Sequence, residues 1–192
     1  FANPGTSEMH FVAALDDVPG MRAVLGLFEG VATGAADGYA RIAGKPACTL
    51  LHLGPGLGNG LANLHNARRA HTPMVNIVGD HATYHKRYDA PLESDIDAVA
   101  GTVSSWVHRS MTPAAVPSDG ARAVAEAMRA PGGVATLILP ADVCWLDSTP
   151  PAAPITPQPA AIVPDEVIAA AARALQSDGD SVLFLGGRTL DE

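Results

Sequence analysis

Three short apolar runs, each closed by a turn and each set off by a helical pattern, constrain this chain more than any other feature. Ala47–Leu53 (ACTLLHL), Met74–Val78 (MVNIV) and Ala135–Leu139 (ATLIL) are apolar at successive positions rather than alternate ones. A strand with one wet face alternates; a strand apolar on both faces has to be covered on both. Helical spacing appears from Gly30 to about Ala43, where Gly44 stops it, and from about Asn59 to Ala70. Ser118 is placed to cap another helix running to about Ala130, and Arg22–Phe28 (RAVLGLF) reads as a further strand. This alternation predicts an α/β fold with a parallel sheet and helices on both faces. Ligands of such sheets gather at the carboxyl ends of the strands.

Charge narrows the partners. The 192 residues carry 12 Lys+Arg against 20 Asp+Glu, a net charge of −8, which is the wrong sign for a nucleic-acid backbone. No apolar run reaches the roughly 18 residues of a membrane span. No signal peptide is visible, and Cys48 and Cys144, each in an apolar run, read as free thiols of a cytoplasmic protein. Both ends read as cut from a longer chain. Residues 148–163 sit in a stretch, Ser148–Pro164, that holds six prolines, and they read as a stiff linker. They separate a domain over 1–147 from 164–192, where a helix at Asp165–Leu175 and a strand at Ser181–Leu185, reaching Gly186-Gly187, look like the opening of a second α/β domain.

Three sets of residues carry candidate chemistry. Glu29 follows the RAVLGLF run directly and opens a helix, where a carboxylate gains about 0.3–1 kcal/mol from the helix dipole alone. The helix behind it has Gly30, Gly34 and Gly38 four apart; glycine costs about 1 kcal/mol inside a helix, so the stripe implies a close neighbour, a helix or a partner subunit. The segment His52–Asn59 (HLGPGLGN) reads as a glycine-rich loop between strand and helix, a context in which backbone amides can face an anion. It matches neither a dinucleotide fingerprint nor a P-loop, although it would suit a nucleotide-binding module. His52 ends the strand beside that loop. His81 and His85 with Glu93 lie in a polar loop, Gly79–Asp95, that fixes no ligand geometry, so no metal site is expected there.

Taken in order, Phe1-Ala-Asn-Pro-Gly-Thr, Leu27-Phe28-Glu29-Gly30, Ala36-Asp37-Gly38-Tyr39-Ala40-Arg41, Gly54-Pro55-Gly56 with Asn59, and Thr72-Pro73-Met74 form a recognisable set. They resemble the pyrimidine-binding domain of thiamine-diphosphate enzymes of the acetolactate synthase and benzoylformate decarboxylase group, over about Phe1 to Leu146. The resemblance implies that Glu29 hydrogen-bonds N1′ of the cofactor's aminopyrimidine and so promotes the C2 ylide that attacks a 2-oxo acid. It implies that Pro55, Gly56 and Asn59 also line the cofactor, and that Pro4, Gly5 and Leu92 border the substrate. His52 matches a position where benzoylformate-decarboxylase-like members place a histidine over the substrate carbonyl and synthases usually carry a small hydroxyl residue. Pro91-Leu92 stands where synthases have Phe-Gln, and Gly79-Asp80 where the family often has Gly-Gln. The pocket is thus decarboxylase-like, and the flavin (FAD) of true synthases is left open.

In that family the diphosphate and Mg²⁺ are held by a separate C-terminal domain through a G-D-G motif, which these residues lack. The resemblance therefore implies a homodimer or homotetramer with its active site between subunits, and a fragment that is inactive by itself. Two functions are carried forward. One is a thiamine-diphosphate enzyme acting on 2-oxo acids by decarboxylation or carboligation; the other is a non-catalytic homologue serving as an interaction module.

Overall fold

The computed structural model of the protein describes residues 1–186. Its strands are β1 (Ala2–Asn3), β2 (Ala47–Leu51), β3 (Met74–Asp80), β4 (Trp106–Arg109) and β5 (Val134–Pro140), all parallel in the order β1-β2-β3-β5-β4. The helices are α1 (Met9–Asp16), α2 (Glu29–Ala43), α3 (Leu53–Arg69), α4 (Ile96–Gly101), α5 (Val116–Met128), α6 (Ala141–Trp145) and α7 (Asp165–Leu175). The chain divides into two units, Phe1–Gln158 and Pro159–Glu192.

β3 and β5 are buried at every position, and the two faces of the sheet explain why their sequences are continuously apolar. Leu51, Met74, Val78 and Ile138 share one core with Ala36 of α2, Leu57 and Leu64 of α3, and Ile96 of α4. Leu50, Val75, Ile77 and Leu137 share the other with Ala123 and Ala127 of α5, backed by Phe11 and Val12 of α1. Each large side chain so buried contributes about 1.5–3 kcal/mol. Thr49, Asn76 and Thr136 interrupt this pattern at mutually paired positions. Thr49 donates to Asn76 Oδ1 (2.8 Å) and Asn76 Nδ2 donates to Thr136 Oγ1 (3.0 Å), all three fully buried. A slip of one residue would strand this amide against apolar side chains, so the polar rung fixes the register.

Three sequence expectations are corrected and two elements are added. Arg22–Phe28 forms no strand: a single bridge joins Leu25 to Ala2, with Gly26 N–H donating to Ala2 O at 2.8 Å. Its one neighbour, β1, is two residues long and offers nothing further to pair with, which leaves Leu25 and Leu27 exposed. Ser118 is not the cap of α5; it lies inside the first turn and donates to Ala115 O (2.8 Å), while Pro117 helps start the helix. β4 and α4 were not visible in the sequence. β4 is an edge strand with no buried residue, which masks the apolar signal. In the second unit α7 spans the expected residues, but Ser181–Leu185 is not a strand, since no other strand is described there to pair with it; Gly187 lies outside the described residues.

The glycine stripe resolves unevenly. A Cβ on Gly34 would fall 2.9 Å from Asn63 Nδ2 of α3, so that glycine is needed for the close approach of the two helices. Gly38 meets nothing among the described residues, so no helix of the chain's own fold accounts for that glycine.

Candidate active site

The candidate site forms where β2 and the start of α2 reach the carboxyl edge of the sheet. β2 ends at Leu51, His52 takes the cap position of α3, and Leu53 already belongs to the helix. That abrupt turn puts Leu53 at φ = 51°, a left-handed conformation costing a residue with a side chain about 1–2 kcal/mol. Complete burial of the leucine side chain offsets the strain. The expected loop Gly54–Gly58 therefore does not exist, and α3 starts six residues before Asn59. Pro55 is tolerated because it sits in the first turn, where a backbone N–H has no helical partner to lose. Neighbours account for two of the glycines: a Cβ on Gly54 would collide with Ser94, and one on Gly60 would meet Thr33 at 3.0 Å, whereas Gly58 has open space among the described residues.

Helices α2 and α3 are tied by Thr33 donating to Gly60 O (3.2 Å) and by Asn63 Nδ2 donating to Gly30 O (2.6 Å). This brings two of the sequence candidates together. Asn59 Nδ2 donates to Glu29 Oε2 at 3.0 Å. Gly56 lies between Glu29 and His52, its Cβ position 3.4 Å from both Glu29 Oε1 and His52 Cβ. The Glu29 carboxylate is thus half-buried, oriented by one neutral amide, and bordered by a glycine that gives it room. Pro55 is exposed on the outer side of the same turn.

His52 belongs to a second group that the sequence reading missed in part. Its Nδ1 lies 2.8 Å from Oε2 of Glu8, a carboxylate only 2% exposed. The same oxygen accepts from the Gly5 N–H at 2.7 Å. Gly5 packs directly on the imidazole, since a Cβ there would fall 2.4 Å from the ring. Gly79, at the end of β3, is equally constrained, because a Cβ would overlap the Glu8 carboxylate. Glu8 left one trace in the sequence: it stands three residues after Gly5, the spacing at which a glutamate reaches back to the backbone N–H that opens a helical turn.

Pro4 is half-buried between β1 and Gly5, and Leu92 is 38% exposed in the segment after β3. That segment is anchored by an ion network at the end of β3. Fully buried Asp80 accepts from Lys86 (2.9 Å), from Arg109 and from the His81 N–H (2.7 Å), while Lys86 also reaches Glu93 (2.5 Å). Burial works against the Lys86 charge, yet the bonds to Glu93 and Asp80 outweigh it and raise its pKa. Glu93 is thereby committed to a lysine rather than to His81 and His85, whose rings lie 5.3 Å apart. No cluster arranged to hold a metal ion occurs among the described residues. None of their helices is long and apolar enough to cross a membrane.

A parallel sheet covered on both faces, with a carboxylate and an amide paired at its carboxyl edge, defines an α/β domain of the open-sheet class. Residues 1–100 match the family model described as thiamine pyrophosphate enzyme, N-terminal TPP binding domain, and the chain belongs to that family. A Mycobacterium tuberculosis protein with the provisional name acetolactate synthase large subunit IlvX is 66% identical over 97% of this chain and 36% of its own length. Benzoylformate decarboxylase of Pseudomonas aeruginosa is 34% identical over 78% of this chain and 28% of its own. Among solved structures, benzoylformate decarboxylase from Polynucleobacter necessarius superposes with a TM-score of 0.80 at 30% identity, covering 92% of this chain and 33% of that one. The chain thus spans about a third of the length of these relatives.

Proposed function

We propose that the complete protein is a cytoplasmic thiamine-diphosphate enzyme that removes CO₂ from a 2-oxo acid, releasing an aldehyde or joining the remainder to a second carbonyl compound. The observation that carries this reading is the Glu29–Asn59 pair over Gly56. An aminopyrimidine needs a carboxylate acceptor for its ring nitrogen and space for a flat ring beside it, and this donor set fits that need. Thiamine diphosphate, when bound, supplies a carbon nucleophile and an electron sink for the departing CO₂. Glu29 would accept a hydrogen bond from the ring nitrogen and hold the proton shared there, while the Asn59 amide keeps its carboxylate plane fixed. His52, at the cap of α3, would face the substrate carbonyl and move a proton there. Leu51 and Leu53, both fully buried, keep water out beneath it.

A decarboxylase is favoured over a synthase by the histidine at position 52 and by Pro91-Leu92. The diphosphate and its Mg²⁺ would be held by a domain outside this chain and contributed by a second copy, in a homodimer or homotetramer. The exposed face of α2 around Gly38, Tyr39 and Ile42 is open to such a copy. The test is to titrate thiamine diphosphate with Mg²⁺ into the full-length protein and to follow CO₂ from a panel of 2-oxo acids. Micromolar binding with CO₂ release supports the proposal, and the accompanying product, aldehyde or 2-hydroxyketone, decides between its two branches. Absence of binding overturns it.

A further inference from the structure

We infer that Glu8 is a positioning residue for His52: it holds the neutral imidazole as the Nδ1–H tautomer and leaves Nε2 as the nitrogen available to a ligand. Hydrogen-bond capacity decides which nitrogen carries the hydrogen. An ionised carboxylate can only accept, and Oε2 of Glu8 already accepts from the Gly5 N–H, so the hydrogen in its 2.8 Å contact with His52 Nδ1 belongs to the ring. The tautomer of a histidine is set by the bond its other nitrogen makes. Free in water, an imidazole side chain prefers the opposite tautomer, with hydrogen on Nε2; the pairing with Glu8 reverses that preference.

The pairing is built rather than incidental. Glu8 is 2% exposed, and its Oε1 has no hydrogen-bond partner among the described residues, an arrangement that costs stability. Two glycines make room for it. A side chain at Gly5 would strike the imidazole and one at Gly79 would strike the carboxylate, so β3, α3 and the turn before α1 all converge on this pair. His52 is in addition fixed at the cap of α3, which leaves the ring little freedom to exchange its nitrogens by rotation. A carboxylate that orients a histidine while another carboxylate faces the cofactor divides the work between the two glutamates. The catalytic consequence rests on the proposed function, whereas the tautomer is a property of this chain alone.

The test is a two-bond ¹H–¹⁵N correlation spectrum of histidine-labelled protein at about pH 8, with His52 assigned by His52→Gln. The expected result is an Nδ1–H pattern for His52, retained in Glu8→Gln, whose amide oxygen can still accept, and reversed in Glu8→Leu. An Nε2–H pattern in the unaltered protein overturns the inference without recourse to any variant. An unchanged pattern in a folded Glu8→Leu does the same. In the full-length enzyme with cofactor bound, kcat is expected to fall about 10–100-fold in Glu8→Leu, with KM and cofactor affinity near their original values and most of the loss recovered in Glu8→Gln. An unchanged kcat removes Glu8 from the catalytic account. An enzyme that releases no CO₂ from any 2-oxo acid overturns the proposed function, and the spectrum then still decides the role of Glu8.

Discussion

Glu29 and Glu8 stand on opposite sides of Gly56 and His52, and their surroundings differ in one respect that separates their uses. Glu29 is half-buried, meets a single neutral amide, and keeps Oε1 clear beside a glycine. Glu8 is buried and spends one oxygen on two donors of its own chain, a backbone N–H and an imidazole. A carboxylate that solvent can reach at a sheet's carboxyl edge is fit to meet a ligand. One buried and bonded to two donors of its own chain acts on the protein. The same residue type at the same edge therefore serves recognition in one place and orientation in the other, and only the three-dimensional neighbours tell the two apart.

The contrast breaks most sharply at Glu29. In the full-length protein with cofactor bound, Glu29→Gln is expected to lower CO₂ release by about 10²–10⁴-fold, the usual worth of a positioned proton-transfer group. Folding stability should stay within about 0.5 kcal/mol, because no buried partner is stranded. His52→Ala is expected to behave differently in both respects. Turnover should fall about 10²-fold with cofactor affinity nearly unchanged, and a denaturant melt should show a loss of about 1–3 kcal/mol, since the buried Glu8 loses one of its two donors. A variant that lost turnover with no loss of stability would detach His52 from Glu8.

Gly79→Ala probes the buried side alone. The added methyl overlaps the Glu8 carboxylate, so a cost of about 1–3 kcal/mol is expected by denaturant melt, with the His52 resonances displaced and those of Asn59 unmoved. Asn59→Ala probes the open side: cofactor binding should weaken by about 0.5–1.5 kcal/mol in a calorimetric titration, with little change in melting. The smallest effect concerns the thiols. Burial pushes both Cys48 and Cys144 up to about 11, with the charges of Glu8 and then Asp142 adding to the effect at Cys144. A thiol held protonated when folded but ionising near 9 when unfolded favours the unfolded chain as pH rises, so its contribution is whole below about 9 and is lost toward 11. Alkylation at pH 8 should accordingly be slow in the native protein and rapid after unfolding.

The sequence made the centre of the fold legible because burial on both faces writes itself as continuous apolar runs. β2, β3 and β5 were found that way, and α2 was bounded by Glu29 and Gly44. The edges were not legible. RAVLGLF has the composition of a strand but meets a partner of only two residues, and Trp106–Arg109 is a strand with half of its apolar surface in view. The start of α3 was placed six residues late because three glycines and a proline ordinarily mark a loop. Here Ser94 crowds Gly54 and Thr33 crowds Gly60, a reason for glycine that no local pattern reveals. Glu29 and Asn59 were each legible, but not that they touch. Glu8 was missed because a glutamate in a surface-like turn gives no sign of being buried against a histidine 44 residues away.

The role of Glu29 is tested most directly by hydrogen–deuterium exchange at the thiazolium C2 of thiamine diphosphate bound to the full-length protein. Exchange followed by NMR after acid quench should be fast in the unaltered protein and slower by at least about 10²-fold in Glu29→Gln, with cofactor still bound and the fold intact. Equal exchange in the two proteins would take the glutamate out of the mechanism and leave it as a carboxylate that merely favours the start of α2.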